Sequence, residues 1–182
     1  MIDRETYRPG PASGAHIDKD GDDWTLVVVR ELRHSPEKVW EAITDPAQLR
    51  EWAPYEADRS LAEAGATVKL TTVGAPKEHI TETTVTHADA PHLLEFTWGG
   101  GPFRWQLDPV DQGTRLTLHA KINRRFIAMG AAGMHVCLDV MEHLLDGKPI
   151  GRRAGPEAMQ MEGWHELFAE YSEQFGVEMP KW

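Results

Sequence analysis

Three side chains with the chemistry of metal ligands, His135, Asp139 and His143, recur every fourth residue, which stacks them along one face of a helix. Two imidazoles and a carboxylate suit zinc. Two turns of helix, however, set the outer pair about 12 Å apart. One ion therefore reaches only an adjacent pair and needs another ligand from elsewhere. A solvated polar helix face is the simpler account, and neither a metal nor a cofactor is expected. Cys137, the only cysteine, stands beside Leu138 in the same stretch, where a thiol is ordinarily buried and inert. With one cysteine, no internal disulfide and no multi-thiolate metal site can form. No Gly-x-Ser-x-Gly elbow marks a nucleophilic serine. Gly99-Gly100-Gly101 joins two strand-like runs, a place for a wide hairpin or pocket rim rather than a phosphate cradle.

Acid-base chemistry has more material. His79, Glu82, Glu95, Arg104, Asp108 and His119 all fall in strand-like runs, where an inward-facing member would be desolvated and its pKa displaced. Nothing singles out one acid or one base. Catalytic residues therefore stay unassigned, and the balance leans away from an enzyme.

The elements that must position these groups are legible from patterning. Trp24 to Arg33 is a valine- and leucine-rich strand. Ser35 then caps a short helix with Pro36 in its first turn and Val39, Trp40 and Ile43 as its apolar stripe. Asp45-Pro46 repeats the device for a second helix that buries Leu49 and Trp52. Short strands with turn signals between them follow at about 55 to 61, 67 to 73, 77 to 88, 92 to 98, 103 to 108 and 114 to 122. Lacking crossover helices, they should pair antiparallel. Alternation puts Leu94, Phe96 and Trp98 on one face, and likewise Phe103, Trp105 and Leu107, and Leu116 and Leu118. A helix over about 127 to 145 carries Met134, Leu138, Met141 and Leu145 at helical spacing. Another amphipathic helix, over 155 to 176, presents Met161, Trp164, Leu167, Phe168 and Tyr171.

The run from Val29 to Trp52 resembles the opening of START-like (SRPBCC) domains, particularly the bacterial branch similar to the C-terminal domain of the activator of the heat-shock-ninety ATPase. VTHADAPHLLEFTW from Val85 to Trp98, the Gly113 to Leu118 strand start and the long helix extend the likeness over roughly residues 24 to 150. It implies an α+β helix-grip fold: a curved antiparallel sheet of about six or seven strands wrapped on a long C-terminal helix, two short helices after the first strand, an extra C-terminal helix, and a cavity between sheet and long helix. These motifs specify packing rather than chemistry. Relatives of this kind include polyketide cyclases and dehydratases. A chaperone-stimulating role would follow from the family name alone; the chain shows no separate domain ahead of Trp24 of the kind such activators use, and a chaperone partner is not expected.

A chain of 182 residues with 41% hydrophobic content suits a single domain with a sizeable core. Residues 24 to 150 are expected to form the START-like domain, with 151 to 182 as a helical extension packed on it. Residues 1 to 23, with Pro9, Gly10, Pro11, Gly14 and the acidic run from Asp18 to Asp23, read as a flexible arm. The net charge of −10 and the absence of a basic stripe argue against nucleic acid. Arg124-Arg125 and Arg152-Arg153 are isolated doublets. No apolar run approaches the roughly 20 residues of a membrane span, and no signal-peptide core is present, so a cytoplasmic protein is expected.

These readings converge on a protein that binds a hydrophobic small molecule between sheet and long helix as a non-catalytic carrier or sensor. Trp52, His79, Trp98, Trp105, His119, Met134, Leu138 and Met141 are the candidate lining residues. A cyclase, dehydratase or hydrolase using the same cavity is the alternative. The helix over 155 to 176 would pack outside the sheet, cover the cavity mouth or form a homodimer surface.

Overall fold

The computed structural model describes residues 6–75 and 79–180. Strand β1 (Ala15–Asp20) turns through Gly21 and Asp22 into β2 (Asp23–Leu32). Helices α1 (Pro36–Thr44) and α2 (Pro46–Trp52) follow. Next come β3 (Tyr55–Ala57), β4 (Thr67–Thr72), β5 (Ile80–Thr84), β6 (His87–Asp89), β7 (Leu93–Trp98), β8 (Gly101–Val110) and β9 (Gly113–Lys121). A 3-10 turn, Arg124–Phe126, leads into the long α3 (Ile127–Leu145), then α4 (Pro156–Met159) and α5 (Trp164–Phe175). The architecture is α+β, with a six-stranded antiparallel sheet ordered β1-β2-β9-β8-β7-β6 and the long helix packed on its inner face. A second ladder, β3-β4-β5, meets the main sheet where Thr83 Oγ1 accepts from the Thr97 amide at 2.9 Å.

The two short helices start where capping chemistry dictates. Ser35 Oγ accepts from the Lys38 amide at 3.3 Å and an Asp45 carboxylate oxygen from the Gln48 amide at 3.2 Å, each followed by a proline whose missing N–H is no loss in a first turn. Val39, Ile43, Leu49 and Trp52 have no exposed surface. Trp52 donates its indole N–H to the Ala42 carbonyl at 2.9 Å and lies edge-on to Trp105, with centroids 5.9 Å apart.

Alternation along β8 and β9 sends Phe103, Trp105, Leu107, Leu116, Leu118 and Ala120 into the core while Arg104 and Arg115 stay exposed. Arg30, in register with Leu116, is a charged residue on the inner face, and α3 answers it with Asp139 at 2.6 Å.

The structure differs from expectation in three places. Residues 15–20, assigned to a flexible arm, form an edge strand in register with β2 from Ala15↔Val28 to Asp20↔Asp23. Backbone pairing does not need apolar side chains, and Gly21-Asp22 is a two-residue hairpin signal hidden in an acidic run. The strand expected over 77 to 88 is two strands, β5 and β6, with residues 77 and 78 outside the described residues. The helix expected over 155 to 176 breaks into α4 and α5, because Gly163 adopts a left-handed φ of 88° that interrupts a helix. Among the described residues no helix is long and apolar enough to cross a membrane.

Candidate functional site

A cavity of about 190 Å³ opens between the β7–β8 hairpin and the first half of α3. Trp98 and Phe103 form its sheet side, and Met129, Gly130, Gly133, Met134 and Cys137 its helix side. Ala154, Gly155, Ala158, Met159 and Trp164 cover it, with Pro54 and Ile122 completing the wall. The helix side is hollowed for a local reason: Gly130, Gly133 and Cys137 follow one another at helical spacing, so small residues stand between Met129 and Met134 on the face of α3 that meets the cavity. The cover is held by close backbone approach. Gly155, at a φ of 61°, lies where a Cβ would come within 2.7 Å of the Val73 carbonyl oxygen. Trp98, Ile122, Met129 and Met159 are half-buried and mark the mouth.

The wall is apolar, and its one titratable group is disabled. Burial pushes the Cys137 thiol up to about 12, and its Sγ lies 3.7 Å from the Arg153 carbonyl oxygen. A protonated thiol is neither nucleophile nor metal ligand at neutral pH.

Of the residues expected to line a cavity, Trp98 and Met134 stand in this wall. Trp52, Trp105, Leu138 and Met141 are fully buried in the filled core instead, because the apolar seam of α3 is wider than its cavity-facing part. His79 is exposed, in a loop before β5. His119 lies on the outer face of the sheet, in register with Arg104 on one side and Val27 on the other. Burial first, and then the Arg104 charge, hold its imidazole below the ordinary 6.5. The other acid-base candidates share that outer side or are exposed. Glu95 faces His87 at 3.6 Å and Arg104 at 3.8 Å, Asp108 accepts from Gln106 at 3.1 Å, and Glu82 is exposed. None touches the cavity. Sequence reasoning offered a cover over the cavity mouth as one of three places for the helix expected over 155 to 176; Gly155, Ala158, Met159 and Trp164 of that segment stand in the wall, and Ala154, just ahead of it, is the part of the cover that expectation did not include.

The His135, Asp139 and His143 trio does structural work on another face of α3. Asp139 accepts from Arg30 at 2.6 Å and from the Tyr7 hydroxyl at 2.5 Å. Arg30 also reaches Glu142 at 3.3 Å and the His135 carbonyl at 3.2 Å. The His135 ring meets the Tyr171 hydroxyl at 2.8 Å, which in turn donates to the Ser13 carbonyl at 3.0 Å. His143 lies edge-on to Tyr7, with centroids 6.2 Å apart. The network thus ties the N-terminal segment, β2 and α5 to the long helix. Among the described residues no group of three or more His, Cys, Asp or Glu is arranged to hold a metal ion.

The model of a family described as polyketide cyclase / dehydrase and lipid transport matches residues 23–145. No curated protein matches the chain. Among solved structures, a conserved protein of unknown function from Enterococcus faecalis is similar with a TM-score of 0.66 at 16% identity, over 88% of this chain and 89% of that one. CalU16 from Micromonospora echinospora is similar with a TM-score of 0.61 at 17% identity, over 90% and 92% of the two chains. DynU16, a protein of the dynemicin biosynthetic locus, gives a TM-score of 0.60 at 21% identity, over 75% of this chain and 52% of that one. At these identities the likeness speaks for the fold.

Proposed function

The chain belongs to the polyketide cyclase / dehydrase and lipid transport family, and on that footing we propose that it binds a compact hydrophobic molecule between the sheet and α3 and holds it without chemical change. The observation that carries this reading is the composition of the wall. Its residues include no carboxylate, imidazole, ammonium or guanidinium, and its single thiol is held protonated. Cyclisation or dehydration by side chains needs an acid and a base converging on the substrate, and the ionisable strand residues face elsewhere. The enzyme reading therefore has family membership behind it and no chemistry in the cavity.

Size narrows the cargo. An apolar cavity of about 150 Å³ takes benzene, so about 190 Å³ suits one or two fused rings. Pockets that enclose larger organic ligands run to roughly 300–1,000 Å³. A carrier or sensor for a small aromatic or alicyclic molecule is the resulting function. Calorimetric titration of the purified chain with indane tests it: binding, with a rise in unfolding temperature as ligand is added, is the expected outcome. Absence of heat and of any shift, across indane, naphthalene and their simple derivatives, would sink the reading.

A further inference from the structure

The stretch that covers the cavity is held at both ends by three consecutive residues of the N-terminal segment. Arg153, which leads into the wall at Ala154, lays its guanidinium over the Tyr7 ring, 5.3 Å from the centroid. At the other end Glu162 pairs with Arg8, and the next residue, Gly163, lies where a Cβ would stand 3.1 Å from Pro9 Cδ. Tyr7 itself is fixed to the long helix: it is buried and donates its hydroxyl proton to Asp139 at 2.5 Å. Further along, the Ala12 amide donates to Glu170 at 2.7 Å and the Tyr171 hydroxyl to the Ser13 carbonyl at 3.0 Å. The segment then joins the sheet where the Gly14 carbonyl accepts from the Val29 amide at 2.7 Å.

Neither the cover nor the segment that clasps it is woven into a sheet. Backbone bonds of the cover close within it, from Ala158 and Met159 to Gly155, from Met161 to Ala158 and from Trp164 to Met161. Gly155 and Gly163, at φ of 61° and 88°, bound it in conformations that glycine alone takes readily, and a few such positions suffice to absorb a hinge motion. Residues 7–14 form neither helix nor strand, and side-chain bonds fasten them to α3 and α5. Contacts of this kind open at a fraction of the cost of unfolding the core. They are also unequal. Arg8 and Glu162 are exposed, at 64% and 70%, so water and salt weaken their pair, whereas the Tyr7 bond to Asp139 is part-buried and assisted by the carboxylate charge. Tyr7 is thus the main fastening and Arg8 the minor one.

We propose that Tyr7 to Ser13 form a latch on the cover: docked, they hold Ala158 and Met159 over the cavity; released, they let the stretch between Gly155 and Gly163 swing out and the ligand pass. The proposal rests on the binding function above and names what governs access to its site. Cys137 makes it testable without any ligand. It is the only cysteine, it lines the cavity and it is 1% exposed, so a thiol reagent reports when the cover is off.

The rate at which methyl methanethiosulfonate labels Cys137, followed by mass spectrometry at fixed pH and low urea, tests the latch in the full chain. Tyr7→Phe should label about tenfold faster than the parent, from the loss of one hydrogen bond to a charged acceptor. Arg30 still holds Asp139 in that variant, so it should fold. Arg8→Glu sets a like charge against Glu162 at an exposed place and should label about threefold faster; adding Glu162→Arg to it should restore the parent rate. Val39→Ala loosens the core at α1 instead and should label as the parent does. Equal rates in the parent, Tyr7→Phe and Arg8→Glu would overturn the latch. So would an equal acceleration in Val39→Ala, which would trace labelling to unfolding of the whole chain. Indane should slow labelling of the parent and of Tyr7→Phe by filling the cavity. Faster labelling in Tyr7→Phe with no protection by indane would remove the binding function and leave the latch standing, whereas protection by indane with equal rates would do the reverse.

Discussion

Asp139 holds two groups from distant parts of the chain, the Arg30 guanidinium of β2 and the Tyr7 hydroxyl of the N-terminal segment. Both members of the Arg30–Asp139 pair are largely buried, at 17% and 19% side-chain exposure, so losing either would strand the other in a poorly hydrated place. Next to it, His135 gives the network a pH dependence. Burial is the main cause that holds its imidazole below the ordinary 6.5, the Arg30 charge acting the same way and Asp139 opposing both. The unfolded chain therefore takes up this proton first as pH falls below 6.5. His135's contribution is complete above that value and is lost as pH drops towards its folded pKa. Glu142, raised above its ordinary 4.5 chiefly by burial, acts in the opposite sense: its contribution is complete below 4.5 and is lost as pH rises towards its folded pKa. Comparison with His135→Asn isolates the histidine. Between pH 7.5 and 5.5 the urea midpoint of the parent should fall more than that of His135→Asn, and parallel slopes would rule the histidine out. The spacing of His135, Asp139 and His143 placed them on one helix face from sequence alone. That this face meets Arg30, Tyr7 and Tyr171 was beyond its reach, because those partners lie up to 132 positions away.

At the scale of elements, local chemistry did the specifying. Ser35-Pro36 and Asp45-Pro46 announce two helix starts because capping involves neighbours three residues apart, and the bounds of α3 follow from an apolar run closed by Asp146-Gly147. Strand β1 was obscured because what makes it a strand is a backbone register with β2. Gly113 shows how tightly one junction is drawn. At the start of β9, a Cβ added there would stand 1.9 Å from the Leu32 carbonyl oxygen and 2.9 Å from the His34 amide nitrogen, both backbone atoms that cannot swing aside. Gly113→Ala should therefore force the end of β2 away from β9 and cost on the order of 3 kcal/mol or more, in the range of the severe single substitutions. Chemical denaturation would measure it, and a loss under about 1 kcal/mol, the ordinary size for a point mutation, would show that the strands part easily.

For the molecule as a whole, the cavity exists because α3 is deliberately thin where it passes the β7–β8 hairpin. Glycine inside a helix sacrifices about 0.5–1 kcal/mol relative to alanine, so Gly130 and Gly133 trade stability for space. Gly133→Leu tests that exchange. Its Cβ would meet Trp164 at an ordinary 3.9 Å, so the helix should accept it and the rest of the side chain should occupy the cavity. A raised melting temperature together with loss of indane binding is the expected pair of outcomes; unchanged indane affinity would contradict the location of the site. Sequence patterning reached one residue on the sheet side of this cavity and one on its helix side. Trp98 and Met134 could be inferred from alternation and helical spacing, whereas Ala154 precedes the helix expected over 155 to 176 and Ala158 and Met159 precede Met161, where the apolar face read for it begins.

That stretch, from Ala154 to Trp164, runs outside both sheets and is pinned to the β4–β5 turn by Gly155 against Val73 and by Pro156 against Gly74. One side of the wall is thus carried on a short, continuous length of chain, with Met159 at the mouth and Ala154, Ala158 and Trp164 buried behind it. Selectivity is modular to that extent: a change of side chain at Met159 would re-cut this side of the doorway while the strands, the long helix and its buried ion pair stay as they are.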